Sequence, residues 1–140
     1  EVLFVEALRG YIEEPPEQHT GWLAGLRDPL IGRSIALMHE RPAEAWTVAS
    51  LAQAVYVSRT VLAERFMQLV GVPPMQYLTQ WRMALAAHLL HGGRLSVTRI
   101  AEEIGYESEA AFSRAFKREY GAPPGVWRRR NDAGSTHAEK

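Results

Sequence analysis

Few side chains in this sequence are of the types, at the spacings, that carry out reactions. His88 and His91 stand three apart, a metal-ligand spacing, but no third ligand accompanies them. Glu102, Glu103, Glu107 and Glu109 cluster as paired acids for glycosidic cleavage do, yet they fall on a short polar stretch without a pocket signal and read as solvated charge. There is no cysteine, which removes disulfides, thiolate metal sites and cysteine nucleophiles together. No phosphate-cradling glycine loop and no nucleophile paired with a base is recognisable. The sequence therefore predicts no enzyme, no metal and no cofactor. What remains is hydrogen-bonding chemistry on two short segments that each open with a serine. The first carries Arg59, Thr60, Ala63 and Glu64, the second Glu109, Ala110, Ser113, Arg114 and Lys117.

Such side chains need elements to hold them, and the apolar spacing is helical nearly throughout, with no sustained period-two alternation. The expected fold class is all-α. Leu3, Phe4, Ala7, Leu8, Tyr11 and Ile12 put one apolar face on a helix over residues 1–14, ended by Pro15 and Pro16. Residues 1–28 then read as a helix and linker left from an upstream regulatory domain. A helix over Pro29–Glu40 follows, with Leu30, Ile31, Ile35 and Leu37 as packing residues. Residues 47–54 and 58–70 form two helices about a tight turn, the second stopped by Gly71, Pro73 and Pro74. Residues 74–91 give the longest helix, with Tyr77, Leu78, Trp81, Leu85, Leu89 and Leu90 expected on one face. Another pair of helices fills residues 96–120. Residues 131–140 are expected to be a disordered tail.

An internal repeat ties these segments together. Thr47-Val-Ala-Ser-Leu-Ala-Gln-Ala matches Ser96-Val-Thr-Arg-Ile-Ala-Glu-Glu at an offset of 49. After the turn the offset becomes 50, pairing Ser58 with Ser108, Leu62 with Phe112, Phe66 with Phe116, Gly71 with Gly121, and Pro73-Pro74 with Pro123-Pro124. Each residue type has a job. Small Ala52 and Ala101 let two helices cross closely. Leu51, Val55, Ile100 and Ile104 fill the core, and the i, i+4 pairs Leu62/Phe66 and Phe112/Phe116 turn the second helix inward. Ser58 and Ser108 cap that helix. Gly105 suits a turn position with positive φ, whereas Tyr56 at the matching place does not, which predicts strain or a shifted turn. The two copies are helix-turn-helix units, homeodomain-like, joined by the long helix.

The formal net charge of zero hides a division along the chain. Residues 27–130 hold fourteen basic and nine acidic residues, and the flanking segments are acidic. A basic middle supports phosphate contacts. No run of eighteen apolar residues exists and no secretory leader is recognisable, so the protein reads as soluble and cytoplasmic.

Residues 29–130 resemble the DNA-binding domain of the AraC/XylS family of transcription regulators. The resemblance is strongest over Ile100-Ala-Glu-Glu-Ile-Gly-Tyr-Glu-Ser-Glu-Ala-Ala-Phe-Ser-Arg-Ala-Phe-Lys-Arg-Glu-Tyr-Gly-Ala-Pro-Pro. It implies sequence-specific binding of double-stranded promoter DNA, RNA polymerase as a partner, and a cupin-like sensor domain upstream through which the intact protein dimerises. It also implies DNA contacts from the nine residues named above. Arg114 matches the family's arginine and is the first candidate for a bidentate guanine contact, while Glu64 departs from it and could accept from cytosine N4. Arg59 faces guanine or phosphate; Lys117, Arg118, Arg128, Arg129 and Arg130 are backbone contacts or solvated charge. The two units would read successive major-groove faces about 34 Å apart, bending the duplex if the long helix requires it. The competing class is a protein-interaction module with an apolar groove, distinguished by weak salt dependence.

Overall fold

The protein is described from a computed structural model covering residues 27–138. The expected helix over residues 1–14, its linker and Trp22 lie outside these described residues. Seven helices follow in order: α1 (Pro29–Glu40), α2 (Val48–Ala54), α3 (Arg59–Val70), α4 (Pro74–His91), α5 (Val97–Glu103), α6 (Glu109–Tyr120) and α7 (Pro124–Ala138). Local chemistry sets their ends. Asp28 Oδ1 accepts from the Leu30 and Ile31 amides at the head of α1, with Pro29 in the first turn, where its missing N–H costs nothing. Thr47 and Ser50 form a reciprocal capping box on α2. Ser58, Ser96 and Ser108 each accept the amide three residues on, at 3.1 Å, opening α3, α5 and α6. Gly71 and Gly121 close α3 and α6 in the left-handed conformation, φ 90° and 81°.

The chain divides into two compact units, with the boundary inside α4 between Trp81 and Arg82. In the first, Ile31, Ile35, Met38, Leu51, Ala52, Leu62 and Phe66 are buried. His39 is buried with them: its Nε2 hydrogen-bonds the Tyr77 hydroxyl at 2.6 Å and its ring stacks on Trp81 at 3.7 Å between centroids. Burial alone pushes its pKa down from 6.5 to about 3, so it is neutral at any physiological pH. Arg65 on α3 donates to Asp28 at 2.8 Å, binding α3 to the cap of α1. In the second unit Ile100, Ala101, Ile104, Phe112, Ala115 and Phe116 form the core.

Several expectations need correction. Leu30 and Leu37 are half-buried, and Met38 takes the core position instead. The long helix does not carry a single stripe. Tyr77, Leu78, Trp81 and Leu85 share one face, but Met83, Ala86 and Leu90, at i, i+3 and i+7, are buried on the opposite face, and Leu89 is half-buried. A helix buried on two opposite faces shows no single apolar periodicity.

The second correction is α7: residues 131–140 are expected to be a disordered tail, whereas this helix runs to Ala138. Pro123 and Pro124 read as a stop, yet they also start a helix, as Pro73 and Pro74 start α4. The repeat itself held this signal. Phe66 meets Tyr77 edge-to-face at 5.8 Å, and fifty residues on Phe116 meets Trp127 edge-to-face at 5.5 Å. The similarity between the units therefore extends one helix beyond the glycine-proline stop.

Candidate nucleic-acid interface

The geometry of each unit begins at the turn that aims its second helix. After α2, the Tyr56 amide donates to the Gln53 carbonyl at 3.2 Å and the Val57 amide to the Ala52 carbonyl at 3.1 Å. After α5, the Gly105 amide donates to Glu102 at 3.2 Å and the Tyr106 amide to Ala101 at 2.9 Å. Both are the paired Schellman closure, and both place the residue after the cap at positive φ: 61° for Tyr56 and 93° for Gly105. The first turn is strained and not shifted. Tyr56 is the one non-glycine residue at positive φ among the described residues; its ring is 83% exposed and lies 5.8 Å from the Arg33 guanidinium. Glu107 is the extra residue that lengthens the second turn.

Helix α3 buries Leu62, Phe66 and Val70, each 9% exposed or less. The opposite face is then set by helical rotation. Arg59, Thr60, Glu64, Met67 and Gln68 are exposed, and Ala63 lies at the edge, half-buried. Met67 is 51% exposed, a large apolar side chain on the outward face. The cation in mid-helix, Arg65, is taken up by Asp28.

Helix α6 repeats this geometry with different chemistry. Phe112, Ala115 and Phe116 are buried; Glu109, Ala110, Arg114, Lys117 and Arg118 are exposed, and Ser113 is half-buried. Arg114, Lys117 and Arg118, at i, i+3 and i+4, line one open depression. The Glu109 carboxylate accepts the Thr98 hydroxyl at 2.6 Å, bracing α6 against α5 as well as complementing the positive N-terminal end of its own helix. At matched positions the outward residues differ in kind: Glu64 stands for Arg114, Met67 for Lys117 and Gln68 for Arg118. Met67 and Gln68 stand outside the set expected from sequence. Once Leu62 and Phe66 are turned inward, 100° per residue suffices to find them.

Other charged residues have structural partners. Arg128 has a structural role within the fold. It is half-buried, and its guanidinium donates to the Leu90 carbonyl at 3.0 Å and the Leu95 carbonyl at 2.6 Å, capping the end of α4 and holding the loop before α5. Arg129 and Arg130 are exposed. Arg82 lies 5.9 Å from the Tyr106 ring. Burial lowers the Arg82 pKa, opposed by Tyr106; burial also raises the Tyr106 pKa, opposed by Arg82 and Arg118. Arg99 pairs with Glu102 at 3.4 Å and Glu103 at 3.0 Å on the surface of α5, which accounts for two of the clustered acids. Trp46 and Trp81 are buried and Trp127 is half-buried against Phe116, as packing residues. Among the described residues no group of histidines and acids could hold a metal, and no helix is long and apolar enough to cross a membrane.

Two helix-turn-helix units, each closed by the same glycine cap and followed by a proline-initiated helix, define a double helix-turn-helix domain. Residues 51–130 match the family described as a helix-turn-helix domain. The chain is 46% identical over 128 residues to an AraC-like transcription regulator of Streptomyces lividans, covering 91% of this chain and 42% of that protein. It is 42% identical over 108 residues to the RCS-specific HTH-type transcriptional activator RclR of Escherichia coli K12, covering 77% and 38%. Among solved structures, the DNA-binding domain of AdpA in complex with a target DNA is similar at a TM-score of 0.71 and 33% identity, covering 76% of this chain and 95% of that one. The C-terminal domain of AraT, a response regulator from Geobacillus stearothermophilus, is similar at 0.70 and 32% identity, covering 73% and 85%. The chain belongs to the helix-turn-helix family of AraC/XylS-type regulators. It spans about two-fifths of the length of the curated relatives it matches.

Proposed function

We propose that the chain is a sequence-specific DNA-binding part of a transcription regulator, reading two adjacent major-groove segments with α3 and α6. The observation that carries this is the outward face of α6. Arg114, Lys117 and Arg118 stand exposed on one side of a helix whose other side is locked into the core, so a cationic face is held in place with no salt bridge to another described residue. The AdpA complex, similar over three-quarters of this chain, supports duplex DNA as the ligand. DNA contacts come from Arg59, Thr60, Ala63 and Glu64 in the first unit and from Glu109, Ala110, Ser113, Arg114 and Lys117 in the second. In the whole protein the same reading has promoter DNA as the target, RNA polymerase as the partner, dimerisation outside this domain, and the cytoplasm as the place of work.

Selection of bound sequences from a random duplex library at two salt concentrations tests it. Enrichment of two short boxes about one helical turn apart, with affinity falling steeply as salt rises, is the expected result. Enrichment of nothing at either salt rejects autonomous DNA reading and returns the apolar-groove interaction module.

A further inference from the structure

Helices α3 and α6 share the serine cap, the Schellman turn, the inward apolar pair and the left-handed glycine stop, yet their outward faces exchange nearly every charge. A guanine edge presents two acceptors, N7 and O6, and is met by a donor such as arginine or lysine. Helix α6 offers three such donors at i, i+3 and i+4. Helix α3 offers no cation at the matching positions. Glu64, an acceptor only when ionised, cannot meet guanine's acceptors; it can meet an exocyclic amine, on cytosine N4 or adenine N6. Gln68 carries both a donor and an acceptor, the pattern that adenine N6 and N7 require. Met67, half exposed to water, and the Thr60 methyl group are apolar surface that gains by covering thymine C5-methyl groups. Arg65 is held by Asp28, and Arg59 lies five residues from Glu64, about 140° round the helix. That position suits a phosphate.

We infer that the two helices read boxes of different composition: α6 a guanine-bearing box, and α3 a box of adenine and thymine in which Gln68 contacts adenine and Met67 and Thr60 cover thymine methyl groups. This rests on the DNA-reading function proposed above.

The test takes the site selected by the chain and remakes it box by box, with deoxyuridine for thymine, which removes only the methyl group, or with 7-deazaguanine for guanine, which removes only the N7 acceptor. One box should lose affinity by about fourfold per thymine methyl covered and be indifferent to 7-deazaguanine. That loss should shrink in a Met67→Ala chain. The other box should respond to 7-deazaguanine alone, and that response should vanish in Arg114→Ala. Both substitutions are at exposed positions, so unchanged reading of the opposite box shows that each variant is folded. Two boxes with no deoxyuridine effect, an effect that Met67→Ala leaves unchanged, or a single box sensitive only to 7-deazaguanine each overturn the inference while DNA reading stands. Selection of no sequence at all overturns the DNA reading itself.

Discussion

Tyr56 and Gly105 occupy the same place in two copies of one turn, at φ 61° and 93°, with matching pairs of amide-to-carbonyl hydrogen bonds. An L-residue with a Cβ pays about 1–2 kcal/mol to adopt this conformation, and glycine does not. Tyr56→Gly should therefore raise stability to urea by about 0.5–1 kcal/mol, the strain relieved less the greater entropy of a glycine chain. Gly105→Ala should lower it by about 1 kcal/mol. A loss of stability in Tyr56→Gly would mean that the Arg33 contact with the tyrosine ring outweighs the strain.

Arg128 should behave as a structural residue. Its hydrogen bonds to the Leu90 and Leu95 carbonyls are charge-assisted and half-buried, so Arg128→Ala should cost about 1.5–3 kcal/mol in thermal or urea unfolding. Arg129→Ala and Arg130→Ala, at exposed positions, should change stability by less than about 0.5 kcal/mol. Equal effects across the three would remove the capping role.

Stability should decline on mild acidification because of His39. The unfolded chain takes up a proton near pH 6.5, whereas the folded protein does so only near 3. The contribution is therefore complete above 6.5 and is lost as pH falls from 6.5 towards 3, at about 1.4 kcal/mol per unit. Relative to His39→Phe, which keeps a ring against Trp81, the protein should lose about 2 kcal/mol of unfolding free energy between pH 7 and pH 5. Parallel pH profiles for the two chains would show that His39 titrates normally.

Arg114 and Lys117 should separate by their response to sequence and salt. Arg114→Ala should cost about 1–3 kcal/mol on the selected site and relax preference at one base pair. Lys117→Ala, if it contacts phosphate as well as bases, should weaken binding on all sequences and reduce the salt slope by about one. A uniform loss in Arg114→Ala would reassign it to the backbone.

Much of the domain was legible because its determinants are local. Ser58, Ser96 and Ser108 cap helices through amides three residues away, Gly71 and Gly121 stop them through their own φ, and Leu62/Phe66 and Phe112/Phe116 declare an inward face by spacing alone. The strain at Tyr56 was legible too, because a repeat lets one turn be read through its twin. The outward faces follow by subtraction, and with them the candidate site.

The sequence by itself determined six of the seven described helices, the two units and most of the residues each second helix turns outward, since all of these depend on neighbours within a few residues. Only the tertiary structure decided which charges were already occupied. Arg128 reaches carbonyls more than thirty residues away, Arg65 meets Asp28 across the first unit, and His39 loses its proton because Tyr77 and Trp81 close over it. The two buried faces of α4 belong to the same class: a helix buried on both sides has no single period to read. Charge and spacing can nominate a residue for DNA, but a partner distant in sequence decides whether that residue is free to reach it.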